Sequence, residues 1–127
     1  MKRVICFPPG TAYQIGMFAK YAKYPWTQPI LDCLDEVMGM KLSSLVADGP
    51  LEDWWEVEKS FAAIAAEALL SLETKKNLYG LELASFGYGI GISTGEFIGA
   101  AILAGLPNEK VIELWKLKGK LNASAPD

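Results

Sequence analysis

The apolar and polar positions of this chain define two short extended runs separated and followed by helical periodicity. Residues 3–7, Arg-Val-Ile-Cys-Phe, form a β-branched, apolar run that stops at Pro8-Pro9-Gly10. Such a run predicts a buried strand entering a tight loop, with Cys6 as a core residue. A second run, 84–90, is apolar but small-sided because of Gly87 and Gly89, and predicts a second strand. Between the two, Met17, Phe18 and Tyr21 fit a short helix over 16–22 that Pro25 breaks. Thr27 is placed to cap the next helix. Pro29 falls in its first turn, Ile30, Leu31, Leu34, Val37 and Met38 form its apolar stripe, and Gly39 stops it. A short helix over 41–47 and an acidic connector over 51–57, carrying Trp54 and Trp55, lead into the strongest helix, 58–72. That segment is rich in alanine and leucine and has no glycine or proline. Gly80 marks a turn. After the second strand come a helix over 94–103 and a last helix from Pro107 to about 121, with Val111, Ile112, Leu114, Trp115 and Leu117 turned inward. Residues 122–127 read as a frayed tail.

Two strands with several helices between them can pair in parallel through right-handed crossovers. Two strands are nonetheless a poor sheet, since parallel sheets want more strands and helices on both faces. The expectation is an α/β, helix-rich fold with a short, incomplete parallel sheet. At 127 residues the chain is one domain's worth, long enough to bury roughly two-thirds of its unfolded surface. A net charge of −3 argues against a nucleic-acid partner. The densest basic cluster, Lys110, Lys116, Lys118 and Lys120, reads as a solvated helix face. Only four apolar residues follow Arg3 before the prolines, too few for a secretory leader, and the uncharged stretches 4–19 and 83–95 are too short and too broken to span a bilayer. Cys6 and Cys33 then read as free thiols of a cytoplasmic protein, with no membrane partner.

The chemistry concentrates at Gly91-Ile92-Ser93-Thr94-Gly95-Glu96, a G-x-S-x-G pattern placed between the second strand and a helix. At a sharp strand-to-helix turn a serine is presented for attack, and the positions two before and two after it must be tiny because strand and helix touch there. Gly91 and Gly95 meet that demand. The Thr94 N–H then points at any oxyanion, supported by the helix N-terminus, and the Pro9-Gly10-Thr11 loop is the natural source of a second donor. Yet the chain contains no histidine, and a serine hydroxyl is a weak nucleophile until a base takes its proton. Glu96 is the nearest carboxylate, but on the helix it faces away from the hydroxyl and serves the first-turn dipole. No metal site is expected. Trp54, Trp55 and Trp115 read as core, or as an interface if Trp54 and Trp55 are exposed.

Across residues 4–125 the order and spacing of several segments resemble the N-terminal half of a malonyl-CoA:acyl-carrier-protein transacylase, the acyltransferase of fatty-acid and polyketide synthesis. Phe7-Pro8-Pro9-Gly10 with Ile15-Gly16-Met17 resembles that family's F-P-G-Q-G-x-Q-x-x-G-M opening. Asp48-Gly49-Pro50-Leu51-Glu52 resembles G-P-x-E-x-L, Gly91 to Phe97 resembles G-H-S-L-G-E-Y, Ala100 to Gly105 resembles A-A-x-x-A-G, and Leu114 to Leu121 resembles the R-G-x-x-M helix. The resemblance implies a single incomplete domain over 1–127. It would be a partial α/β-hydrolase-like large subdomain whose lid and further strands lie elsewhere. It also implies that Ser93 is the nucleophile, that the Thr94 and Gly10 N–H groups are the oxyanion donors, and that Lys118 stands where the family's arginine grips the acyl carboxylate. The substrates implied are a CoA thioester and a phosphopantetheinyl acyl carrier protein, with no bound cofactor. The sequence departs from the pattern at Ile92, where the family has histidine, in the loop glutamine, and at Lys118, which lacks arginine's two-pronged fork.

Two functions follow from the resemblance. In one, the chain is the nucleophile half of an acyltransferase and a second polypeptide, or a homo-oligomer, completes it. In the other it is a catalytically dead remnant that binds or scaffolds a carrier protein or itself. A third reading, a self-sufficient serine hydrolase, is the poorest, since the chain lacks both a base and an orienting acid.

Overall fold

The structure is a computed structural model that describes residues 2–9 and 13–125. Strand β1 (Arg3–Phe7) is followed by a turn region with one 3-10 turn at Ala19–Tyr21. Helices α1 (Thr27–Met38), α2 (Leu42–Asp48) and α3 (Val57–Tyr79) come next, then strand β2 (Phe86–Gly91), and helices α4 (Gly95–Leu103) and α5 (Asn108–Ser124). The helix expected over 16–22 is thus a single 3-10 turn within a series of turns.

Helix α3 is the hub. Its segment from Ser60 to Ala66 is buried on every side, as a helix apolar all round must be. Helices α1 and α5 pack against it. Gly119 of α5 lies so close to the start of α3 that a Cβ there would strike the Val57 carbonyl and the Glu58 backbone. Phe61 and Trp115 meet across the same contact, ring centroids 6.1 Å apart. Helix α3 runs beyond the expected 72 because its polar end supports itself: Lys75 Nζ donates to Ser71 Oγ at 2.7 Å, and Asn77 Nδ2 donates to the Glu73 carbonyl at 2.8 Å. It ends where Gly80 adopts the left-handed conformation, φ 63°.

Thr27 is the first residue of α1 and makes no cap. Its hydroxyl instead donates to the Tyr21 carbonyl at 2.6 Å, tying the 3-10 turn to the helix start. Trp54 and Trp55 separate: Trp54 is fully buried against Tyr13, while Trp55 is exposed. The last helix extends to Ser124, past the expected end near 121.

The two strands pair in parallel, Val4 opposite Tyr88, Ile5 opposite Gly89, Cys6 opposite Ile90 and Phe7 opposite Gly91. Period-two alternation sends Ile5, Phe7, Gly89 and Gly91 to one face and Val4, Cys6, Tyr88 and Ile90 to the other. Helix α4 closes on the first face, with Gly99 against the Phe7 ring and Leu103 over Gly89. The second face is exposed, and Cys6 with it. The expectation of a core cysteine fails because a strand buried on both faces needs a layer on each, and one layer covers this one. Leu114 and Leu117 likewise do not point inward. Helix α5 docks through Val111, Ile112, Trp115 and Gly119, which leaves those leucines on its outer side. Among the described residues no helix is long and apolar enough to cross a membrane.

Candidate functional site at the Ser93 turn

Parallel pairing brings the C-terminal ends of β1 and β2 to one end of the sheet, where open α/β sheets place their ligand sites. The pairing continues past the strands, since the Ile92 N–H donates to the Phe7 carbonyl at 3.2 Å. Ser93 follows with φ 54°, and it is the one non-glycine residue with positive φ among those described. An L-residue held there carries roughly 1–2 kcal/mol of local strain. The chain reverses at once into α4. Gly95 N–H donates to the Ile92 carbonyl at 2.9 Å and Glu96 N–H to the Ser93 carbonyl at 3.1 Å.

The flanking glycines are required by space. A Cβ on Gly91 would overlap the Glu96 backbone, and a Cβ on Gly95 would overlap the Phe7 and Pro8 carbonyl oxygens. The strand, the loop after β1 and the first turn of α4 therefore meet at van der Waals distance, and the residue held out from that junction is Ser93, which is exposed. Thr94 is buried. Its backbone N–H has no acceptor among the described residues, at the N-terminal end of a helix whose dipole favours negative charge. Its hydroxyl also has no partner there.

Gly91, Ser93, Thr94 and Gly95 are thus brought together in one turn, with Pro8 of the β1 loop against it. Gly10 lies outside the described residues. Glu96 is exposed in the first turn of α4. Lys118 reaches this end of α4 from α5: its ammonium stands 5.0 Å from the Phe97 ring centroid, and the Phe97 N–H bonds the Thr94 carbonyl at 3.2 Å. Phe97 is the residue that sequence reasoning missed. Its signal was its place at the end of the Gly91–Phe97 match, four residues after Ser93, and the packing of α5 on α4 sets its ring under Lys118. Ile92, beside Ser93, is exposed. A cavity of ≈ 380 Å³ opens along β2 and α4, lined by Phe7, Gly91, Glu96, Gly99 and Leu103 among others. A second cleft of ≈ 410 Å³, between β1 and α3, has Cys6, Glu67 and Lys75 on its wall and does not reach Ser93.

No protein-family model and no curated protein matches the sequence. Solved structures do match. The acyl carrier protein S-malonyltransferase from Vibrio cholerae superposes with a TM-score of 0.86 at 29% identity, over 100% of this chain and 41% of that one. The chain has part of the fold of the malonyl-CoA:acyl-carrier-protein transacylases. The S-malonyltransferase from Bartonella henselae gives a TM-score of 0.88 at 20% identity, again over 100% and 41%. A malonyl-transacylase solved in complex with its type II polyketide-synthase acyl-carrier protein gives 0.84 at 23% identity, over 100% and 41%. The chain therefore spans about two fifths of the length of the transacylases it matches, consistent with their N-terminal half. The helices and the short two-stranded parallel sheet match part of the acyltransferase fold.

Proposed function

We propose that this chain is the nucleophile-bearing part of an acyltransferase of fatty-acid or polyketide metabolism, completed by a second polypeptide or a second copy. The observation that carries this is the strained, exposed Ser93 between β2 and α4, on a turn that a Cβ at either flanking glycine would force apart. Strain at one exposed hydroxyl, held by tight packing on both sides, has a purpose if that oxygen reacts. The likeness to malonyl transacylases, one of them bound to a carrier protein, supports the substrate class.

In this reaction Ser93 Oγ attacks the thioester carbon of an acyl-CoA. A C–O bond forms, the C–S bond breaks, and the serine proton passes through a base to the leaving CoA thiolate. The Thr94 N–H, and with it the Gly10 N–H, receives the oxyanion. The acyl ester then passes to the phosphopantetheine thiol of an acyl carrier protein by the reverse sequence. Lys118 offers its ammonium to an acyl carboxylate, as a point charge rather than a fork. No side chain of the 127 residues is a histidine, so the base comes from the completing chain. The alternative function, a binding or scaffolding module, draws support from Ile92, an apolar exposed side chain beside the serine.

Covalent loading tests the proposal. The chain, alone and mixed with candidate completing chains, is incubated with malonyl-CoA or acetyl-CoA and read by intact mass. An acyl adduct lost in Ser93→Ala is expected in a completed mixture, with Lys118→Ala lowering malonyl more than acetyl loading. Absence of any adduct in every mixture overturns the enzyme and leaves the binding module.

A further inference from the structure

We infer that Phe97 is a positioning residue: its ring holds the Lys118 ammonium beside the Ser93 turn with its charge unspent, ready for an acyl group that ends in a carboxylate. The inference rests on the acyltransferase reading above and names what fixes that cation in place. A lysine head sits on a flexible four-carbon stem, so its backbone position alone does not set where the charge stands. Among the described residues, Lys20, Lys41, Lys59, Lys76 and Lys110 each pair with a carboxylate of this chain. Lys118 is half-buried and pairs with none; its ammonium stands over the Phe97 ring, 5.0 Å from the centroid. A carboxylate would hold the head but neutralise it. An aromatic face attracts a cation through its quadrupole and takes up neither the charge nor the three N–H donors.

The ring is itself fixed from both helices. On α5, Trp115 lies one turn before Lys118 and is 1% exposed, and its ring centroid is 6.3 Å from that of Phe97. Phe97 therefore packs on a buried anchor, and the ammonium is held by the next turn of the same helix. On α4, Phe97 is the third residue, and its N–H donates to the Thr94 carbonyl at 3.2 Å. The ring thus belongs to the same turn that presents Ser93 and the free Thr94 N–H. Through Phe97 the placement of the cation is tied to that turn, rather than to the reach of a free side chain from a separate helix. The other lysines over rings differ. Lys20 and Lys23 face the tyrosines next to them in sequence, and Lys2 donates a hydrogen bond to the Tyr88 hydroxyl.

The test has one arm that needs no activity and one that does. In proton–carbon correlation spectra of the lysine ε-methylene groups of the full chain, the Lys118 signal is identified by its loss in Lys118→Arg. It is expected upfield of that of the exposed Lys120, because the ring current shields what lies above an aromatic face. Phe97→Leu is expected to abolish the difference and Phe97→Tyr to keep it. In the completed mixture, supplied with malonyl-CoA and acetyl-CoA together, Phe97→Leu is expected to lower the malonyl-to-acetyl ratio of the Ser93 adduct about two- to fivefold, and Phe97→Tyr to restore it. A Lys118 signal that Phe97→Leu does not move overturns the inference while leaving the acyltransferase reading intact. So does a variant that loses malonyl and acetyl loading equally, which would make Phe97 a packing residue only. Absence of any wild-type adduct, with the signal shifted as expected, instead removes the acyltransferase reading and this role with it.

Discussion

If Ser93 is held in its conformation by the junction around it, replacing it with glycine makes the protein more stable, while replacing it with alanine does not. At φ 54° the Cβ of an L-residue crowds its own backbone, at a cost of roughly 1–2 kcal/mol. Alanine keeps that Cβ and the cost. Glycine removes both, but gives back roughly 0.5–1 kcal/mol through its greater freedom in the unfolded chain. The net gain of Ser93→Gly over Ser93→Ala is therefore about 0.5–1 kcal/mol. With an unfolding entropy of about 2.1 cal/mol/K per residue over 127 residues, that is a rise in Tm of about 2–4 °C. Urea unfolding checks it independently, as a higher midpoint at unchanged slope. Scanning calorimetry of wild type, Ser93→Ala and Ser93→Gly in one buffer should rank the glycine variant highest. The reasoning is refuted if the glycine variant melts at or below the alanine variant, because the backbone at 93 would then not be strained.

Gly95→Ala is expected to lower stability by about 1–3 kcal/mol or more, because the atoms its Cβ meets are the Phe7 and Pro8 carbonyl oxygens, which cannot swing aside; thermal unfolding measures it, and a loss below about 0.5 kcal/mol, within the range of ordinary surface changes, contradicts the close approach. Tyr21 is predicted to make the protein sensitive to alkali. Burial first, and then its 2.6 Å hydrogen bond to Glu67, raise its phenol above the ordinary value of 10.0. A raised folded value means stability fully present below pH 10.0 and lost as pH rises through the higher folded value. Lys20, raised chiefly by its bond to Glu67, acts in the same direction, but its side chain is largely exposed and adds little. Urea midpoints taken between about pH 8 and 11 should fall more steeply for wild type than for Tyr21→Phe, and equal slopes would remove the phenol from the account.

Much of this molecule could be read from residue order. Residues 3–7 are a strand because β-branched and apolar residues bounded by proline and glycine have few other local options, and the run expected over 84–90 is a strand over 86–91, its first two residues lying in a 3-10 turn. Helix α1 stops at Gly39, and α3 is continuous because its segment has neither glycine nor proline. The G-x-S-x-G spacing placed Ser93 at a turn for a steric reason, and the structure shows the contacts behind it at Gly91 and Gly95. These are local properties, decided within a few residues of chain.

What the sequence could not decide depended on which faces meet. Cys6, Leu114 and Leu117 were expected inside and lie outside. Their apolar character permits burial, but burial also needs a layer opposite, and α4 and α3 each cover only one side of their neighbours. Trp54 went inside and Trp55 outside for the same reason, since adjacent residues in a connector point different ways and only one found a partner in Tyr13. The approach of Lys118 to Phe97 joins residues from two helices whose relative placement no periodicity specifies. Local sterics and spacing fix the turn at Ser93 from sequence alone, whereas the packing of whole elements fixes what stands around it.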